Sequence, residues 1–232
     1  MFKQPAIEFN AWPHRLSGVV VGCLLNHAPA LAALGTAVDQ PPYKGAPRAP
    51  VLYVKPRNTL TGEGAQVAVP AGFDEVEIGA ALGLVMARTA CRVAPGDALA
   101  HVAGAMIAAD LSLPHDSFYR PSVRLKARDG FCPLGSQVVP LDQLGPPDDL
   151  AVRVFVDGRL VHACRTDQRI RSAANLLSQV SDFMTLQPGD VLMTGVAFGA
   201  PRAGAGQQVA IEIDGLGRLD FTLVADRPGR AA

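Results

Sequence analysis

The sequence predicts one β-rich α+β domain, with mixed sheets and few helices. Three observations carry this. Short apolar or alternating runs, punctuated by Gly, Pro and Asp, recur from residue 17 to residue 224. Two pairs of these runs are joined by turn signals, as in hairpins. Helical spacing is confined to two stretches, and strands do not alternate with helices as they would in a parallel α/β sheet.

In chain order, SGVVVGCLL (17–25) and APVLYVKP (49–56) read as short apolar strands, the second closed by Lys55 and Pro56. AQVAVP (65–70) alternates, and EVEIGAALGLVM (75–86) follows as a longer run. DALAHVAGAMI (97–107) is expected to begin as a helix capped near Asp97. LAVRVFVDGRLVHACR (150–165) reads as a hairpin about Asp157-Gly158. SAANLLSQVSDFMTL (172–186) is the better helix: Ser172 suits the N-cap, and Ala173, Leu176, Leu177, Val180 and Met184 share one face. QQVAIEIDGLGRLDFTLV (207–224) reads as a second hairpin. The expected organisation is a lead-in over 1–16 and one domain over 17–232.

Composition narrows the function classes. Hydrophobic residues make up 49% of the 232 and charged residues 18%, which marks a globular chain. The 21 basic and 21 acidic residues cancel, so no basic block follows a phosphate backbone and nucleic acid is not expected as a partner. Zero net charge also removes one barrier to self-association. Cys23, Cys91, Cys132 and Cys164 form no CxxC pair and read as reduced thiols of a cytoplasmic protein. The first residues are too polar for a signal peptide, and Asn26, His27 and Pro29 interrupt the apolar stretch 16–35, so a membrane span is not expected.

Four stretches in order resemble the fumarylacetoacetate hydrolase family: YVKPRNTLTGEG (53–64), GAMIAADLS (104–112), LKARDGFCPLG (125–135) and LQPGDVLMTG (186–195). Further stretches, CLLNHAPALAAL (23–34) and SLPHDSFYRP (112–121) among them, are similar to the amino-terminal half of two-half lyase/isomerases within that family. The resemblance implies the fold of the family's C-terminal domain. It implies a small dicarboxylate as substrate, namely 5-carboxymethyl-2-oxo-hex-3-ene-1,7-dioate for decarboxylation or 2-hydroxyhepta-2,4-diene-1,7-dioate for isomerisation, in aromatic catabolism. It also implies assembly as a homodimer or with a paralogous subunit. The family cofactor is a divalent cation, Mg²⁺ or Mn²⁺, which polarises a 2-oxo acid chelated through its carboxylate and keto oxygens.

Residue by residue, the motif match leaves this site incomplete. The family's two metal glutamates fall on Gly79 and Ala81, leaving Asp110 as a remnant ligand, and one carboxylate is a poor cage for a hard cation. Glu75 and Glu77 share a strand face and are either alternative ligands or a solvated strand end. They lie four residues upstream, about 13 Å along a strand. The family's base positions hold Ala30 and Ala33; His27 is either a substitute base or a packed histidine. Lys126 and Asp129 keep a catalytic motif and Lys55 a substrate motif, each a site residue or a structural ion pair. Arg57, Arg120, Arg124 and Arg128 either meet a dicarboxylate, Arg57 and Arg120 foremost, or are ordinary surface, and Thr194 and Gly195 are expected on the substrate side. The adjacent His115 and Asp116 look like an acid/base dyad but read better as surface. The expectation is therefore either a lyase/isomerase subunit or a degenerate partner of an intact paralogue, with metal doubtful in this chain. Restoring glutamates at positions 79 and 81 is expected to return metal binding more readily than turnover.

Overall fold

The computed structural model describes residues 9–11, 14–115, 117–119 and 122–226. Strands β1 (Phe9–Ala11) and β2 (His14–Leu16) form an antiparallel ribbon. β3 (Val20–Leu24) leads into the short helix α1 (Ala28–Ala32), and β4 (Val51–Lys55) returns beside β3. β5 (Leu60–Thr61), β6 (Gln66–Val69) and the long β7 (Glu75–Met86) follow, then β8 (Val102–Ser112). After α2 (Val123–Lys126), β9 (Cys132–Pro133) and α3 (Leu141–Leu144) comes the hairpin β10 (Ala151–Val156) and β11 (Arg159–Arg165). Helix α4 (Ala173–Ser181), β12 (Val191–Met193) and β13 (Arg202–Gly204) precede a last hairpin, β14 (Gln208–Ile213) and β15 (Gly217–Ala225).

Two mixed sheets result. One runs β13-β7-β12-β3-β4, with β8 on the other side of β7; the second runs β11-β10-β14-β15-β6. Most neighbours are antiparallel, but β12 runs parallel to β3 and β15 to β6. The main core lies between the sheets, where Val76, Ile78, Leu82 and Leu84 of β7 meet Val154, Ile211 and Phe221 of the second sheet. The alternate residues Ala81 and Val85 pack on the opposite face with Met106, Ala108 and Tyr53. β7 is thus covered on both faces, which is why its sequence is a continuous apolar run instead of an alternation.

Both hairpins form where the turn signals place them. Asp157 and Gly158 adopt φ of 49° and 75°, the left-handed pair a two-residue turn of this kind requires. The expected helix over 97–107 does not form. A single 3₁₀ turn spans Ala98–His101, and residues 102–112 extend as β8 along ten positions of β7. Asp97 makes no side-chain cap, and a helix would forfeit the burial that 104–112 gain on both faces of the sheet.

Helix α4 starts as expected, with Ser172 Oγ accepting from Asn175 N–H at 3.2 Å. It stops five residues earlier than the periodicity suggests. The Ser181 carbonyl accepts from Arg92 N–H (2.8 Å), so the neighbouring loop takes the acceptor that would carry the helix onward. Ser172→Ala is expected to destabilise the protein by about 1 kcal/mol through loss of this cap, read as a lower urea midpoint at unchanged slope. No helix of the described residues is long and apolar enough to cross a membrane.

Candidate active site

β7 and β8 carry the site. Their register sets Glu77 opposite Ser112, Gly79 opposite Asp110 and Ala81 opposite Ala108, so these six positions share one sheet face. Against that face lies a cavity of about 430 Å³. The buried residues Tyr53 (β4), Asp110 (β8) and Lys126 (α2) border it on the sheet side, and α1 and the 196–200 loop complete its wall. Tyr53 reaches this point because its β3 partner is Gly22: a Cβ there would stand 2.2 Å from the Tyr53 ring.

Asp110 is the centre of the polar cluster. Its Oδ2 accepts from Tyr53 Oη at 2.5 Å and from Lys126 Nζ at 2.7 Å. Lys55 Nζ lies 2.8 Å from Oδ1. The Lys55 N–H groups, however, are directed at the carbonyls of Leu111, Lys126 and Phe131, at 2.7, 3.1 and 2.9 Å. The contact to Oδ1 is therefore an ion pair, and Oδ1 receives no directed hydrogen bond. Oxygen acceptors on every side keep Lys55 an ammonium, although burial lowers its pKa and the Asp110 charge only partly opposes that. Burial raises the Asp110 pKa, but Lys126 and Lys55 overcome this and hold it well below the usual carboxylate range. Burial and then the Asp110 charge push the Tyr53 phenol well up, so it remains a donor. One carboxylate thus faces two ammonium ions, and the buried cluster carries a net positive charge.

At the cavity edge, Glu77 Oε1 lies 3.5 Å from Arg202 Nη2 and Glu77 Oε2 lies 4.0 Å from His115 Nδ1. His115 Nδ1 is also 2.9 Å from the Leu113 carbonyl. Cys23 borders the cavity too, but burial pushes its thiol up to about 11, which leaves it protonated at neutral pH.

The polar cluster binds together the Lys55, Asp110 and Lys126 motifs, and the fumarylacetoacetate hydrolase C-terminal model matches residues 19–224 of this chain. The chain belongs to the fumarylacetoacetate hydrolase family. The 4-hydroxyphenylacetate degradation bifunctional isomerase/decarboxylase of Escherichia coli is 37% identical over 212 residues, which cover 91% of this chain and 48% of that protein. The chain spans about half the length of the curated relatives it matches. The crystal structure of 5-carboxymethyl-2-hydroxymuconate delta-isomerase from Mycobacterium smegmatis superposes with a TM-score of 0.77 at 28% identity, covering 91% of this chain and 80% of that one. Fumarylpyruvate hydrolase from Pseudomonas aeruginosa, solved with Mn²⁺ and pyruvate, gives 0.81 at 22% identity over 97% and 99% of the two chains, a likeness of fold.

A divalent cation thus occurs in the family, but the residues present here do not fit one. Gly79 and Ala81 supply no oxygen, and a Cβ at Gly79 would stand 2.6 Å from the Asp110 carbonyl oxygen and 2.8 Å from Val196 Cγ2. Val196 therefore occupies the space that a carboxylate side chain at position 79 would need. The remaining carboxylate, Asp110, is already held by two ammonium groups. Among the described residues no cluster of three or more His, Cys, Asp or Glu has the geometry to hold a metal. Lys126 stands on Asp110 as a built-in cation.

The structure sorts the other expected residues. Lys126 and Asp110 meet at the cavity. Lys55 does not border it: fully buried, it steadies Asp110 and three backbone carbonyls instead of meeting substrate. Asp129 is exposed and accepts from Asn58 Nδ2 at 2.8 Å, tying two loops together outside the cavity. His27 lies in a neighbouring cleft, where its Nδ1 accepts from Phe198 N–H at 3.1 Å; it props the 196–200 loop and is no base for this cavity. Burial lowers its pKa and favours the neutral, accepting ring. Thr194 is buried and donates to the Leu82 carbonyl, while Gly195 borders a small separate cavity beside Asn26. Arg57 is exposed beside Gly18, and Arg128 stacks over Phe73. Arg120 and Asp116 lie outside the described residues. Glu75 is exposed opposite Gly204, whereas Glu77 is at the cavity edge, paired with Arg202 instead of poised as a ligand.

Two cavity residues are not expected from the sequence, Tyr53 and Arg202, and His115, read there as surface, borders the cavity. The spacing of Tyr53 and Lys55, two apart on one strand, is the available signal for the first. Arg202 carries no motif.

Proposed function

We propose that this chain is one half of a lyase/isomerase that acts on 2-oxo or 2-hydroxy dienoic dicarboxylates of aromatic catabolism. The substrates are 5-carboxymethyl-2-oxo-hex-3-ene-1,7-dioate and 2-hydroxyhepta-2,4-diene-1,7-dioate, and the second half is another copy of the chain or a paralogous subunit. In this half the 2-oxo acid is held by an ammonium group instead of a metal ion.

The observation that carries the reading is the buried excess of positive charge at the cavity. Lys126 Nζ donates to Asp110 and to no other protein oxygen among the described residues, so two of its N–H groups remain for a ligand. An anionic ligand offsets a buried charge that otherwise costs several kcal/mol. The oxygens of a 2-oxo acid match the two remaining N–H groups of the Lys126 ammonium, and Arg202 at the edge suits a second carboxylate. The Escherichia coli and Mycobacterium smegmatis relatives, by name an isomerase/decarboxylase and an isomerase, support the same substrate class.

Calorimetric titration with 2-oxoadipate in the presence of EDTA tests this. Binding is expected without metal, and Lys126→Met is expected to weaken it at least about tenfold, the loss of one charge-assisted contact. Chelator-sensitive binding overturns the metal-free reading. The alternative, a degenerate partner of an intact paralogue, rests on the missing ligands at 79 and 81; it is favoured if 2-oxoadipate does not bind at all while mixing with a paralogous subunit raises that subunit's activity.

A further inference from the structure

We infer that this cavity releases carbon dioxide from its 2-oxo acid and leaves the proton shift of isomerisation to a paralogous half. The inference rests on the 2-oxo acid reading above and divides its two reactions. Both reactions pass through an enolate at C2, and an ammonium beside the oxygen serves either one. They differ in how the enolate arises. Isomerisation needs a base that takes a proton from carbon. Decarboxylation needs only an electron sink and surroundings in which the leaving carboxylate is poorly solvated.

The cavity provides the second set. Lys126 is the sink, with two N–H groups left over from its bond to Asp110. The rest of the wall, from α1, the two residues after it and the 196–200 loop, brings Ala30, Ala33, Leu34, Val196, Ala197 and Phe198, none with a polar side-chain atom. A carboxylate against that wall lacks hydrogen bonds, whereas carbon dioxide is neutral and needs none. The charge moves to the oxygen beside Lys126 as the bond breaks.

The cavity groups of a kind that could take a proton are engaged. Asp110 accepts from Tyr53 and Lys126 and is ion-paired with Lys55. Glu77 pairs with Arg202 at the edge. Cys23 donates its thiol hydrogen to the Leu24 carbonyl. His115 turns Nδ1 to the Leu113 carbonyl at 2.9 Å, and its Nε2 is buried in protein, out of reach of a ligand. A second copy of this chain would be engaged in the same way, so the proton shift falls to a different subunit.

The step balances. In the branched substrate, the bond from C5 to its carboxylate carbon breaks. Its electron pair becomes the C4–C5 double bond, the C3–C4 pair shifts to C2–C3, and the carbonyl pair moves to the C2 oxygen. That oxygen takes one proton from solvent, and the products are carbon dioxide and 2-hydroxyhepta-2,4-diene-1,7-dioate. No oxidant, reductant or nucleophile is consumed. The dienol is the compound that isomerisation consumes, so this half supplies the other.

Two compounds separate the reactions. Oxaloacetate carries a carboxylate on the carbon beside its keto group; 2-oxoadipate does not. Both are followed by NMR in D₂O with EDTA present, alongside calorimetric binding of 2-oxoadipate. The protein is expected to speed carbon dioxide loss from oxaloacetate at least about 10²-fold over buffer, the scale of one enolate-stabilising donor. Deuterium exchange at C3 of 2-oxoadipate is expected to stay at the buffer rate. Folded Lys126→Met is expected to lose the acceleration, and the contrast between the two compounds is read on wild type should that variant not fold. Exchange above the buffer rate overturns the assignment, as does full acceleration in folded Lys126→Met. So does a wild-type protein that binds 2-oxoadipate without speeding carbon dioxide loss. Failure of wild type to bind 2-oxoadipate overturns the ligand reading instead, and this assignment with it.

Discussion

Asp110→Ala is expected to destabilise the fold by about 3–5 kcal/mol, the scale seen when one member of a buried charge network is removed. The reason is the geometry around it. Lys55 and Lys126 are buried and both lean on this one carboxylate, so its removal leaves two ammonium ions facing each other without compensation. Tyr53 also loses its only hydrogen-bond acceptor among the described residues. Urea denaturation is the measurement, and a loss below about 1 kcal/mol would show that the cluster is solvated. The pH dependence has a defined sign. The folded Asp110 titrates well below its unfolded value, so its contribution is complete above about pH 4 and declines as acidification approaches the folded value. The stability gap between wild type and Asp110→Asn is therefore expected to narrow below about pH 4 and to stay constant between about pH 5 and 7.

Gly79→Glu is expected to cost about 3 kcal/mol, at the upper end for overpacking, and to bring no metal with it, alone or combined with Ala81→Glu. From the sequence, refilling both positions looks like a route back to cation binding. The structure opposes it, because the added Cβ would press on the β8 backbone at the Asp110 carbonyl and on Val196. Backbone cannot yield as a flexible side chain can, so strand pairing must distort. Even if the strand tolerated the change, Lys126 and Lys55 already hold the third carboxylate. Titration of the folded variants with Mn²⁺ is expected to give no heat beyond wild type. Stoichiometric uptake would mean that Val196 and Lys126 vacate the site readily.

The parts of the fold legible in the sequence are those that local chemistry decides. Asp157-Gly158 and the cap at Ser172 act within a few residues, and both elements form there. Residues 102–112 mislead because a strand covered on both faces loses its alternation and resembles a buried helix. In the site, motif spacing locates Asp110 and Lys126 but not their contact, which joins two elements through tertiary packing. Lys55 and Asp129 stay open between site residue and structural ion pair because sequence records charge but not depth: one is fully buried and the other exposed. His115 reads as surface because its sequence neighbour, Asp116, is the only partner in view there. Its actual surroundings come from Leu113, Glu77 and Phe118, and Glu77 reaches it only through the pairing of β7 with β8.

The Lys126–Asp110 contact also changes when the site receives its charge. A bound ion has an off-rate and an affinity, so an enzyme that depends on one exists as loaded and unloaded populations whose ratio follows the cell's supply. A tethered ammonium has neither. It arrives with the last turn of α2, at an effective concentration set by the fold, and every correctly folded copy is charged from the start. What is surrendered is the double charge and the open coordination positions of a metal, and with them the strongest available polarisation of a carbonyl. On the reading proposed above, such a half gives up polarising power for permanence, and its affinity for a 2-oxo acid is expected to be the same in metal-depleted and metal-replete buffer.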